Sequence, residues 1–139
     1  MILHDTLSEP LRDRVQELLD FLKTNPSPEQ VYEQFYDENV VVQENLQPSR
    51  VGRAISIERQ KRMNSNVKEV HEFKIGAVLV DGDRSVIEAH IDMTTLDGHH
   101  IRIEELAMQT WRDGRIVHER FFYDPGNIQG TAREINAIH

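Results

Sequence analysis

The chain has 139 residues, a formal net charge of −8 and no cysteine. That length suits one domain over 1–139, and the missing cysteine excludes disulfides and thiolate metal sites. The negative balance argues against nucleic acid as a partner, since phosphate binding needs clustered Lys and Arg. No apolar run approaches the roughly 20 residues that span a bilayer. The start, Met1-Ile2-Leu3-His4-Asp5, lacks the basic and apolar stretches of a secretory leader, so no membrane partner and a cytoplasmic location are expected.

Leu11, Val15, Leu18, Leu19 and Leu22 recur at helical spacing, predicting a helix from Ser8 to about Lys23 with Ser8 as N-cap. Asn25-Pro26-Ser27-Pro28 stops it, and Ser27 caps a second helix whose apolar face is Val31, Tyr32, Phe35 and Tyr36. The β-branched run Val40-Val41-Val42 predicts a strand over 39–44, followed by a loop through Pro48 and Gly52. A third helix is expected from Ala54 to about Met63. Arg59-Gln60-Lys61-Arg62, with Arg50 and Arg53 before it, reads as a solvated helix face. Strand-like runs then cover 69–80, 85–96, 101–111 and 116–123, turned at Asp81-Gly82-Asp83, Asp97-Gly98 and Asp113-Gly114, which predicts an antiparallel meander. The order of elements predicts an α+β fold, with a core over about 8–126 and a tail over 127–139.

Strand 85–96 alternates strictly, with Ile87, Ala89, Ile91 and Met93 on one face and Glu88, His90, Asp92 and Thr94 on the other. Either set could face the interior: the apolar one as core, or the polar one as a cavity wall with the apolar one under a second subunit. A three-residue turn at Arg112-Asp113-Gly114 with a bulge puts Glu105, Ala107, Gln109 and Trp111 on one face with Val117, Glu119, Phe121 and Tyr123. Leu106, Met108, Thr110, Ile116, His118, Arg120 and Phe122 then share the opposite face. Aromatic walls with a few carboxylates and an amide suit a small-molecule pocket.

Several phrases resemble a known family. They are Phe35-Tyr36-Asp37-Glu38-Asn39-Val40-Val41-Val42, the step Val51-Gly52-Arg53, Trp111-Arg112-Asp113-Gly114-Arg115-Ile116 and Glu119-Arg120-Phe121-Phe122-Tyr123-Asp124-Pro125. Over about 8–126 the chain resembles the SnoaL-like (polyketide cyclase-like) branch of the nuclear-transport-factor-like superfamily. The resemblance implies a cone-shaped, cystatin-like α+β barrel, a curved antiparallel sheet wrapped around N-terminal helices. Its concave face would hold a hydrophobic small molecule, and its convex face would form a homodimer. Members include cyclases, ketosteroid isomerases, epoxide hydrolases, dehydratases and binding proteins without chemistry, so the fold leaves the function open.

Carried over residue by residue, the ketosteroid isomerase base falls at or near Glu44. The oxyanion positions fall near Leu19 or Asp20 and near Ala107, none of which supplies the needed tyrosine or acid, so that mechanism is not expected. The cyclase pattern of an aspartate with a histidine partner has candidates in Asp92, Asp124 and His90, and the correspondence would turn Glu88, His90 and Asp92 inward. The catalytic candidates are therefore His90, Asp92, Glu44 and Glu119. The ligand-binding candidates are Tyr32, Tyr36, Glu88, Glu105, Gln109, Trp111, Phe121 and Tyr123, although each aromatic is also an ordinary core residue type. Neither a metal nor an organic cofactor is expected: no HExxH-like spacing occurs, and His99-His100 lies in a turn. The expected function is cofactor-independent isomerisation, cyclisation or dehydration by proton transfer; the alternative is a non-catalytic ligand-binding or dimeric scaffold domain.

Overall fold

The computed structural model describes residues 2–124, with side chains from residue 10 onward. The expected tail over 127–139 lies outside the described residues. The elements are α1 (Ile2–Leu22), α2 (Pro28–Phe35), β1 (Tyr36–Glu44), β2 (Arg50–Val51), α3 (Arg53–Ser65), β3 (Val67–Asp81), β4 (Arg84–Thr95), β5 (His100–Arg112) and β6 (Arg115–Tyr123). α1 begins at Ile2 rather than at Ser8 and carries Pro10 inside it. Among the described residues no helix is long and apolar enough to cross a membrane.

α2 forms where its cap chemistry predicts. Ser27 accepts from the Gln30 amide while the Gln30 side chain accepts from the Ser27 amide, a reciprocal capping box with Pro28 in the first turn. Phe35 and Tyr36 are both buried, and the chain passes directly from α2 into β1.

The six strands form one curved sheet in the order β2-β1-β6-β5-β4-β3. β3 to β6 are the expected antiparallel meander, whereas β1 joins β6 in parallel. Among the described residues the sheet curves without closing, because β2 and β3 are its edges, so they form an open cone rather than a closed barrel. β2, within the segment expected to be loop, is a two-residue strand against Val41 and Val42.

Curvature comes from β3. Its register with β4 shifts three times, between Val67 and Glu69, Val70 and Glu72, and Ile75 and Val78. Each shift adds a residue on β3 and bends the strand. The shifts keep Val67, Val70, Phe73, Ile75, Val78 and Val80 opposite Thr95, Met93, Ile91, Ala89, Ile87 and Ser85, so all six lie on the concave side despite their irregular spacing. At the third shift Glu88 accepts from the Ala77 amide at 3.1 Å, and a side chain at Gly76 would strike its carboxylate. Glu88 thus pins a bulge.

Two turns decide which residues face inward. Asp113 and Gly114 form a two-residue turn with φ of +53° and +76°, the type I′ pattern, and Arg112 pairs with Arg115. The extra residue falls later, at Val117, because Trp111 pairs with Ile116 and Thr110 with His118. Beyond it Gln109 faces Glu119, Ala107 faces Phe121 and Glu105 faces Tyr123, the pairing that a bulged turn predicts. Ile116 is fully buried, which corrects its expected place on the outer face.

The other turn overturns an expectation. Thr95 bonds His99 across Leu96, Asp97 and Gly98, with Gly98 at φ +85°. This three-residue turn pairs Ala89 with Glu105 and His90 with Glu104. A two-residue turn on Asp97-Gly98 would have shifted the register by one and set His90 opposite Glu105. Glu88, His90 and Asp92 therefore stand on the convex face, while Ile87, Ala89 and Met93 are buried on the concave face. Burying the apolar set gains transfer free energy; burying three ionisable side chains would cost it.

The larger core cluster is made by Val15, Leu18, Leu19, Tyr32, Phe35, Tyr36, Val40, Val42, Ile87, Trp111 and Ile116. A second cluster is made by Met93, Ile101, Ile103 and Tyr123, with Met63 and Val67 against it.

Candidate active site

Between α3 and the concave face lies a cavity of about 270 Å³, just below the usual range for ligand sites. Its apolar lining is Met63, Val67, Val70, Phe73, Ile91, Met93, Ile103 and Phe121, and its polar lining is Tyr32, Glu44, Arg50, Ser56, Arg59, Gln60, Asn64 and Glu105. Val70 and Phe73 remain 55% and 54% exposed, so the apolar edge of the cavity on β3 is open to solvent.

Among the described residues three carboxyls are buried on the concave side: Glu44 (2% exposed), Glu105 (8%) and Glu119 (1%). Each comes from the inward set of its strand, at the end of β1, the middle of β5 and the middle of β6. Their environments differ. Glu44 is held by Arg50 from β2 through both guanidinium nitrogens; the Arg50 Nη2 to Glu44 Oε1 distance is 2.8 Å. Such bidentate pairing is the strongest form of this ion pair.

Glu119 ends a buried hydrogen-bonded chain. The Trp111 indole donates to Ser85 Oγ at 2.8 Å, Ser85 donates to Gln109 Oε1 at 2.7 Å, and Gln109 Nε2 donates to Glu119 Oε2 at 2.7 Å. From β1 the Tyr36 hydroxyl donates to Glu119 at 2.7 Å. Burial pushes the Glu119 carboxyl up to about 7, against the donations from Gln109 and Tyr36 that favour its ionised form. Burial and then the nearby Glu119 carboxylate raise both tyrosine hydroxyls, Tyr32 and Tyr36, well above the ordinary phenol value.

Glu105 stands on the cavity wall itself. Burial, reinforced by the Glu119 and Glu44 carboxylates, pushes it up to about 8. Burial thus favours its protonated form, in the same cavity as an ion-paired carboxylate. A buried carboxyl held toward its protonated form is one way proteins obtain a general acid from this residue type.

Of the residues singled out from sequence, Tyr32, Glu44, Glu105 and Phe121 line the cavity. Tyr36, Gln109, Trp111 and Glu119 form the buried chain behind it, and Tyr123 packs in the second apolar cluster. His90 and Asp92, expected as catalytic groups, and Glu88, expected as a ligand contact, are held away from the site. On the convex face His90 lies between Glu88 and Glu104, and Asp92 is hydrogen-bonded to His100 at 2.5 Å. Sequence reasoning missed Arg50, Ser56, Arg59, Gln60 and Met63, of which the arginines read from sequence as a solvated face. Ser56, Arg59, Gln60 and Met63 fall at i, i+3, i+4 and i+7, so one helical face of mixed polarity carried the signal.

The sequence profile of the SnoaL-like domain matches residues 9–123. The chain belongs to the SnoaL-like domain family. A candidate SnoaL-like polyketide cyclase from Mesorhizobium loti superposes with a TM-score of 0.72 at 20% identity, over 81% of this chain and 98% of that one. An LEH-like epoxide hydrolase from M. tuberculosis gives 0.65 at 16% identity, over 91% and 86%. An NTF2-like protein of unknown function from Burkholderia pseudomallei K96243 also gives 0.65 at 16%, over 91% and 95%. At these identities the likeness establishes the shared cone and not a shared chemistry. No curated protein matches the sequence.

Proposed function

We propose that this SnoaL-like domain binds a hydrophobic small molecule and moves a proton on it without an organic cofactor, as in isomerisation, cyclisation or dehydration. The observation that carries this reading is the pairing, in one small cavity, of the acid Glu105 with the carboxylate Glu44. The Glu44 carboxylate takes a proton from carbon beside a carbonyl, and Glu105 gives its proton to the carbonyl oxygen, leaving an enol. Arg50 holds the base in place, and Glu119, fixed by Tyr36 and Gln109, helps to keep Glu105 protonated. His90 and Asp92 have no part in this scheme.

The test is deuterium uptake from heavy water into a panel of small apolar ketones and β-hydroxyketones, followed by proton NMR. The protein should accelerate exchange for at least one member, and Glu105→Gln should slow it by about 10²–10⁴-fold. Compounds that bind but exchange no faster than in buffer would leave a binding domain without chemistry.

We also propose a homodimer through the convex face. Leu106 and Phe122 are register partners there, 44% and 36% exposed, with Met108 beside them. Ile87 and Ile91, which the dimer reading of the sequence places under the second subunit, face the concave side instead. Light scattering after size exclusion should give twice the chain mass, and Leu106→Glu should halve it. A monomeric parent protein would contradict the interface.

A further inference from the structure

We infer that Trp111 is a positioning residue for the cavity: through Ser85 it locks the Gln109 side-chain amide in the orientation that donates to Glu119, and so favours an ionised Glu119. The inference rests on the reading of Glu105 as the acid of the cavity. It adds what holds the neighbour of that acid in its charged form.

The polarity of the chain is fixed from one end. An indole N–H donates and cannot accept. Ser85 Oγ therefore accepts from Trp111 at 2.8 Å, and its own proton goes to Gln109 Oε1 at 2.7 Å. This leaves Gln109 Nε2 toward Glu119, 2.7 Å from Oε2. With the amide turned over, Nε2 would meet Ser85 as a second donor and Oε1 would face the carboxylate. Trp111, Ser85, Gln109 and Glu119 are all buried, so water does not make up for a reversed bond.

The other end agrees. The Tyr36 hydroxyl lies 2.7 Å and 2.9 Å from the two Glu119 oxygens and donates there. A proton on Glu119 would need one of these donors to accept instead. Gln109 Nε2 cannot accept, and Tyr36 would have to give up its own donation. Burial disfavours the Glu119 anion most, and the donations from Gln109 and Tyr36 oppose it. The other ionisable groups around Glu119 are Glu44 on β1, Arg50 on β2, Tyr32 on α2 and Glu105 on β5. After burial, the Glu119 carboxylate does most to hold Glu105 protonated. Trp111 thereby acts on the cavity from behind its wall, through three hydrogen bonds in series.

Carbon-13 titration of the glutamate carboxyls in Trp111→Phe and Ser85→Ala tests this, with thermal melts showing that each variant folds. The two substitutions break the chain at different side chains, and Glu119→Gln assigns the resonance. In both variants the Glu119 carboxyl should titrate higher by about half a pH unit or more, a fraction of what a hydrogen bond to a charged group contributes. The Glu105 carboxyl should titrate lower. A purely structural Trp111 would lower the melting temperature and leave both titrations where they are. Unmoved titrations in either folded variant overturn the inference, as does a Glu119 that titrates lower, and neither result touches proton transfer by Glu105. Shifted carboxyls in a protein that exchanges no ketone would refute the proton transfer and support this inference.

Discussion

Replacing Arg50 with methionine should cost about 3–5 kcal/mol of folding stability, the loss expected when one member of a buried ion pair is removed. Glu44 is 2% exposed and its partner side chain 17%, so water does not take over the carboxylate once the guanidinium is gone. The damage comes from the unpaired buried charge of Glu44 more than from the missing hydrogen bonds. Glu44→Gln in the Arg50→Met background should therefore recover most of the stability, because the amide carries no charge to bury. Urea unfolding of the parent, both single variants and the double variant forms the cycle that checks this. A loss below about 1 kcal/mol for Arg50→Met would place the pair among exposed ion pairs instead. The same variant should impair proton transfer, since Glu44 loses the group that positions it.

Stability should fall as pH rises from about 5 to 8, the reverse of what surface carboxylates give. In the folded state Glu105 holds its proton up to about 8 and Glu119 up to about 7, against an ordinary value of 4.5 for both. Between those limits the folded protein binds more protons than the unfolded chain, so ionisation favours unfolding. The contribution is complete below pH 4.5 and is lost as pH climbs through the folded values. One such proton gives a slope of about 1.4 kcal/mol per pH unit. Glu105→Gln imitates the neutral acid in shape and polarity, so it should flatten the slope by close to one proton. At about pH 8 it should be at least as stable as the parent. A parent whose stability is flat or rising over this window would mean that neither carboxyl is held neutral by the fold.

Much of the fold was legible because it is encoded locally. The spacing of Val15, Leu18, Leu19 and Leu22, the Ser27 cap and the Asp-Gly turns each specify an element through interactions a few residues long. The inward set Glu105, Gln109, Trp111, Glu119, Phe121 and Tyr123 was legible too, although the extra residue sits at Val117 and not in the turn. Either position shifts the register by one, so the faces agree.

The second turn could not be read the same way. Asp97-Gly98 fits a two-residue or a three-residue turn, and one residue of difference moves His90 from the cavity to the outside. Strict alternation in β4 was symmetrical between those outcomes. The long-range pairing of Ala89 with Glu105 excludes the inward placement of His90. Arg50 and Arg59 were illegible for a related reason. Their roles depend on the return of β2 along β1 and on the seating of α3 across the sheet, and both join distant parts of the chain. The inward placement of Glu105 rested instead on an extra residue in the last hairpin, which the structure has at Val117.

Everything proposed for the cavity depends on Glu105 being a neutral acid at physiological pH. Carbon-13 NMR of the glutamate side-chain carboxyls, recorded from about pH 4 to 10 and assigned by comparison with Glu105→Gln, measures this directly. A resonance that titrates near 8 and vanishes in the variant is the expected result. A Glu105 carboxyl that titrates in the ordinary range, about 4.3, would contradict it.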